Sequence, residues 1–214
     1  MPTATAIAPP PSAGQAAPAP AATSEPSGVA WVARFPTSTS VSDCVPPFRG
    51  QLTAFIVALK AAGASVGVAA TLRPAQRAHL MHWCWAIVNA DADPRAVPAL
   101  DGVDIAWAHV DDQGAYDAVA SVAAAQAMVD AYGMHDLGVA PALASRHIDG
   151  LAVDMAIAWT GALTIANRAG APVTVASLPR SGMNPDLHAV GATYGVIKFV
   201  GGAADIPHWS DDGH

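Results

Sequence analysis

Two short stretches of this chain combine histidine and carboxylate at spacings that suit metal chemistry. The first runs from Ser145 through His147, Asp149 and Gly150 to Asp154. If residues 151–159 form a strand, alternation puts Leu151, Val153, Met155, Ile157 and Trp159 on one bulky apolar face and Ala152, Asp154, Ala156 and Ala158 on the other. The second face is small apart from one carboxylate, which suits the floor of a cleft. A lone carboxylate there is costly unless it is paired or binds a metal. Gly150 permits the tight turn that returns His147 over the same floor.

A catalytic zinc commonly has three protein ligands and one open position, so His147 and Asp154 leave one ligand to find. The second stretch, Asp205-Ile206-Pro207-His208-Trp209, supplies it. A carboxylate three residues before a histidine suits metal-assisted hydrolysis, one group binding the ion and the other moving the proton. A continuous strand would point Asp205 and His208 to opposite faces, and Pro207 is expected to make the bend that brings them together.

Positioning these groups falls to the elements around them. Leu52, Phe55, Ile56 and Leu59 recur at helical spacing over 51–62, with Gly63 as a stop. A Val/Ala-rich strand over 65–72 delivers Arg73 at its end. Pro74 then opens a helix to about residue 89, with Leu80, Trp83, Cys84 and Ile87 on one face. Residues 91–104 read as a long surface loop, and 115–132 as an alanine-rich helix ending at Gly133. Strands are expected at 173–176 and 196–200, either side of a helix capped by Asn184-Pro185 that ends near Gly195. Helices and short strands without regular βαβ alternation predict an α+β fold, with a central and mostly antiparallel sheet flanked by helices.

Residues 1–28 are almost entirely Ala, Pro, Ser, Thr and Gly, and read as a disordered tail before a single domain over 29–214. Ten basic side chains against 17 acidic ones, for a net charge of -7, argue against nucleic acid as a partner. The mean hydropathy of +0.32 comes largely from alanine, and no window reaches the roughly 18 apolar residues of a spanning helix. No membrane insertion is expected. The first residues lack the basic start and unbroken apolar run of a Sec signal, which predicts a chain made in the cytoplasm. Cys44 and Cys84 read as one optional bridge or two buried thiols, the second being favoured. His79, His82 and His188 are expected to face solvent, as are Arg146, Asp149, Asp211 and Asp212.

The motif S-x-H-x-x-G-x-A-x-D, filled by Ser145, His147, Gly150, Ala152 and Asp154, with the later Asp205-x-x-His208-Trp209, resembles the zinc peptidases of bacterial cell walls. These are the D-alanyl-D-alanine carboxypeptidases and dipeptidases of the VanY and VanX kind and the phage L-alanoyl-D-glutamate endopeptidases. Thr71-Leu72-Arg73-Pro74-Ala75-Gln76 is similar to the family's arginine element, with the glutamine shifted. The resemblance covers about residues 65–209. It implies a hedgehog-type fold with one zinc per chain in a cleft, held by His147, Asp154 and His208.

In that family pattern Asp205 is the general base and later acid, and Arg73 stabilises charge on the scissile carbonyl oxygen. Ser145, Gln76 and Trp209 would line the substrate. The implied substrate is the peptidoglycan stem peptide or its cross-link. Aspartate at position 205, where carboxypeptidase relatives commonly carry glutamate, favours endopeptidase cleavage. Action in the periplasm or cell wall then requires release through holin lesions, a specialised secretion system or a leader outside this sequence. A non-catalytic peptidoglycan-binding module on the same zinc fold, or a zinc hydrolase of another amide, stays open. The 91–104 loop and the helix after it look like an insertion relative to compact family members.

Overall fold

A computed structural model describes residues 24–214. In chain order the elements are β1 (Glu25–Pro26), α1 (Phe48–Ala61), β2 (Ser65–Ala70), α2 (Ala75–Asn89), β3 (Ile105–Ala106), β4 (His109–Val110), β5 (Tyr116–Asp117), α3 (Ala118–Tyr132), β6 (Ala152–Ala158), β7 (Leu163–Ala166), β8 (Pro172–Val175), α4 (Pro185–Thr193), β9 (Ile197–Lys198) and β10 (His208–Ser210). The fold is α+β. Its main sheet has four strands in the order β2-β6-β10-β9, every pairing antiparallel.

The apolar periodicities locate one core on this sheet. Phe48, Leu52, Phe55, Ile56 and Leu59 form a buried stripe along α1, so the helix starts earlier than the 51–62 pattern suggests. The stripe packs with Val153, Met155, Ile157 and Trp159 of the β6 segment, together with Leu187 and Val190 of α4. Fully burying side chains of this size contributes about 1.5–3 kcal/mol each, which ties α1 and α4 to one sheet face. The hairpin β7–β8 joins the same cluster through Leu163, Ile165 and Val175. Sequence reading missed β7, although its buried and exposed residues alternate as they should in a half-buried strand.

A second cluster gathers Leu80, Cys84 and Ile87 of α2, Ala125, Met128 and Val129 of α3, and Trp31, Val103 and Trp107. Asp117 caps α3 by accepting from the Ala120 amide, and Gly133 at φ 67° ends it. Residues 91–104 run mostly exposed, as expected of a surface loop, but they are pinned to this cluster by Val103, which is buried in it, and by Leu100, which packs against it. His79 is buried here as well, and His82 bonds Pro141 O at 2.8 Å, contrary to the solvent exposure expected of both. Cys44 lies in the first cluster and Cys84 in the second, each as a buried free thiol. Burial pushes the Cys84 thiol up to about 12. Among the described residues no helix is long and apolar enough to cross a membrane.

Part of the expected tail belongs to the fold. Residues 1–23 lie outside the described residues, but Glu25 and Pro26 pair in parallel with Ile105 and Ala106. Ser27 is buried with its Oγ 2.9 Å from His109 Nε2, and Glu25 pairs with Arg34 at 2.5 Å. The ordered boundary thus precedes residue 29. A chain beginning at Val29 is expected to be less stable than one beginning at Ser24, by roughly 1 kcal/mol or more for the lost buried bond and strand pairing. Urea denaturation of the two truncations measures the difference, and equal midpoints would return residues 24–28 to the tail.

Candidate metal centre

The site is assembled on the two central strands. Asp154 on β6 stands directly opposite His208 on β10, so both side chains project from one sheet face. The neighbouring pair, Val153 and Trp209, projects from the other face into the core. On its other side β6 meets β2, whose register slips between Val68 and Ala70 next to Asp154. That bulge sits just before Thr71 and Arg73, whose backbones bond to His147, and bulges commonly occur at such places.

His147 comes from the turn before β6. Leu151 N donates to Arg146 O at 2.8 Å and Gly150 N to His147 O at 3.3 Å, the bond pattern with which many helices end. Gly150 adopts φ 70°, as that pattern requires. A Cβ there would stand 3.2 Å from Val45 Cγ1 and 3.4 Å from Val45 N, so glycine serves both conformation and space. The turn is anchored across the fold: Arg73 N donates to His147 O at 3.0 Å, and Val45 N donates to Gly150 O at 3.0 Å.

His147 Nε2 lies 3.1 Å and His208 Nδ1 3.3 Å from the same Asp154 oxygen. One donor atom from each of the three residues falls within 4.8 Å of the others. The remote ring nitrogens decide what the near ones can do. His147 Nδ1 lies 2.6 Å from Thr71 O and His208 Nε2 lies 3.1 Å from His214 O. A carbonyl only accepts, so each remote nitrogen carries the proton. In the neutral ring each near nitrogen then presents a lone pair toward Asp154. This is the arrangement in which backbone carbonyls orient metal-binding histidines.

Two basic nitrogens facing one carboxylate need positive charge between them, from protons or from a cation. With protons alone, the polarisation is plain. Burial by itself would raise the Asp154 carboxyl, but hydrogen bonds and charge from His147 and His208 hold it well below the usual carboxylate range. Burial would lower His208, yet Asp154, the His214 carbonyl and Asp205 together raise it. Convergent and of mixed N/O type, with both histidines buried and Asp154 partly so, the three groups could hold a metal ion.

Asp205 is brought to the same place. A 3-10 turn over Gly202–Asp205 continues helically through Ile206, so Asp205 and His208 share a side, with Asp205 Oδ2 3.8 Å from His208 Nδ1. The expected bend exists: the helical turn runs through Ile206, and Pro207 follows it in the turn before β10 begins at His208. The Asp205 carboxylate is about half exposed. A cleft of about 410 Å³ beside His208 is lined by Ala144, Ser145, Arg146, Asp149 and His214. Ser145 Oγ is buried and has no hydrogen-bond partner among the described residues.

Arg73 is half-buried, with its backbone bonded to His147 and its guanidinium in no ion pair among the described residues. Gln76 lies beside Gly102 of the second cluster's loop, and nothing places it against His147, Asp154 or His208. Trp209, expected beside the substrate, is fully buried on the opposite face, with its ring 5.7 Å from Phe55. Strand alternation from His208 sends it there. His188, expected in solvent, bonds Gly182 O and packs edge-on against Trp209. Arg146 is also not free: it bonds Asp212 and approaches Asp211 and Asp149 at 3.3 and 3.7 Å. That clamp, which holds the Asp212 carboxyl down to about 2, ties the His147 turn to the segment after His208. The residue that sequence reading missed is Lys198, a buried cation whose only signal was its place in an otherwise apolar strand.

No family model, curated protein or solved structure matches the chain. Gly150→Ala tests how the turn is built. It is expected to destabilise the protein by about 1–3 kcal/mol, as an L residue forced into left-handed backbone does. Guanidinium unfolding measures this, and a parental midpoint would show that the turn accepts a side chain.

Proposed function

We propose that this chain is a zinc-dependent peptidoglycan hydrolase that cuts a peptide bond in the stem peptide or cross-link. What supports this most is the direction of the two histidine rings, each held by a backbone carbonyl so that its free nitrogen faces Asp154. The motif around them resembles that of cell-wall zinc peptidases, and on this reading the α+β fold is of the hedgehog type. His147, Asp154 and His208 would hold the ion, which when bound supplies a Lewis acid that polarises a carbonyl and acidifies water.

The chain's own residues divide the remaining work. Asp205, half exposed beside His208, accepts a proton at Oδ2 and returns it to the leaving amine. Arg73, carried on the backbone that anchors His147, offers a guanidinium to the carbonyl oxygen as negative charge develops there. Ser145 borders the cleft and forms part of its wall. Action on the wall follows release through holin lesions, a specialised secretion system or a leader.

Metal content and cleavage of sacculi, read by mass spectrometry of released fragments, test the proposal on three variants. The parent should carry one zinc. Asp154→Ala should lose most of it, and with it stability, because metal binding is coupled to folding. Asp205→Asn should keep zinc and lose turnover by about 10²-fold or more. Arg73→Ala should keep zinc and lose about 10²- to 10³-fold. Loss of zinc from Asp205→Asn would make Asp205 a ligand, and parental cutting by it would move the base elsewhere. A parent that binds sacculi in a zinc-dependent way without cutting them would be a binding module instead.

A further inference from the structure

Lys198 lies in edge strand β9, paired with Trp209, and only 5% of it is exposed. Its ammonium does not reach water as a buried lysine's usually would. Nζ instead donates to two backbone carbonyls, Asp205 O at 2.9 Å and His208 O at 2.9 Å. Those carbonyls bracket the turn that carries the proton acceptor at one end and the third ligand at the other. The same ammonium lies 5.8 Å from the Trp209 ring on the core side. One cation therefore spans the underside of the turn.

A buried lysine can be mere packing, and a methionine would fill much the same space. The geometry argues for more. An apolar replacement would remove the charged donor from Asp205 O and one of the two donors from His208 O, which also accepts from Phe199 N at 3.2 Å. Among the described residues Lys198 is thus the one side chain that bonds both ends of the turn. We propose that Lys198 is a positioning residue of the metal centre, setting the spacing of Asp205 and His208 by gripping both carbonyls of their turn. This rests on the metal-centre reading.

The full chain and its Lys198→Met, Lys198→Arg and Lys198→Gln variants test this, with Lys60→Met on the exposed surface of α1 as control. Zinc affinity is measured by competition with a chromophoric chelator, the visible spectrum is recorded with cobalt(II), and melting is followed with and without metal. Lys198→Met is expected to weaken zinc binding by about 10- to 100-fold, the usual cost of losing a group that orients ligands, and to shift the cobalt spectrum. Lys198→Arg, which keeps the charge and can still donate to both carbonyls, should restore most of the affinity. Lys60→Met should match the parent. A purely structural lysine would lower the melting temperature while leaving affinity and spectrum parental, and that result overturns the proposal. If Lys198→Met does not fold, Lys198→Gln gives the decision: weakened zinc binding supports positioning and parental binding overturns it. A parent that takes up no zinc sinks the metal-centre reading itself, an outcome distinct from equal binding by parent and variant.

Discussion

Asp154 is the group that the rest of the structure has to accommodate. Removing a carboxylate from water costs several kcal/mol unless charge and hydrogen bonds are returned to it. Four separate segments meet to return them. β6 carries the carboxylate, β10 sets His208 opposite it, the turn ending at Gly150 swings His147 over it, and Thr71 beyond the β2 bulge holds the His147 ring. None of these contacts is local in sequence except the one between His147 and Asp154. The site therefore exists only when the sheet is paired in register.

That register is secured by the opposite face. Val153 and Trp209, one residue from Asp154 and His208, are fully buried with Phe55 and Leu187. Slipping either strand by one residue would drive a carboxylate or an imidazole into the core and expose a tryptophan. The hydrophobic core and the polar cluster are thus two consequences of one alternation. The cations on either side serve the same end. Arg146 binds the His147 turn to Asp211 and Asp212, and Lys198 on the edge strand bonds both ends of the turn before His208, so a cation braces the segment carrying each histidine.

The second cluster bears on the site through α2. This helix begins directly after Arg73, and its body packs on α3 and the 91–107 segment. Gln76 in its first turn lies beside Gly102 of that segment.

Local pattern alone made much of this legible. The period of α1, the alternation of β6, the need for glycine at 150 and the convergence of His147, Asp154 and His208 could be read because each depends on near neighbours in the chain or on motif residues. The fate of the other groups could not. Trp209, Lys198, Arg146 and His79 take their environments from segments beyond their own element, and residues 24–28 are held by pairing with Ile105 and Ala106 and by the Ser27–His109 bond. The bend before His208 was required by alternation, but the 3-10 turn that precedes it and the bonds it receives from Lys198 join segments that no local pattern connects. Sequence determined which side chains alternate and where the backbone must turn, since those follow from sterics within a few residues. Tertiary structure decided which faces meet and which charges are paired, since burial and Coulomb energy depend on distance in space.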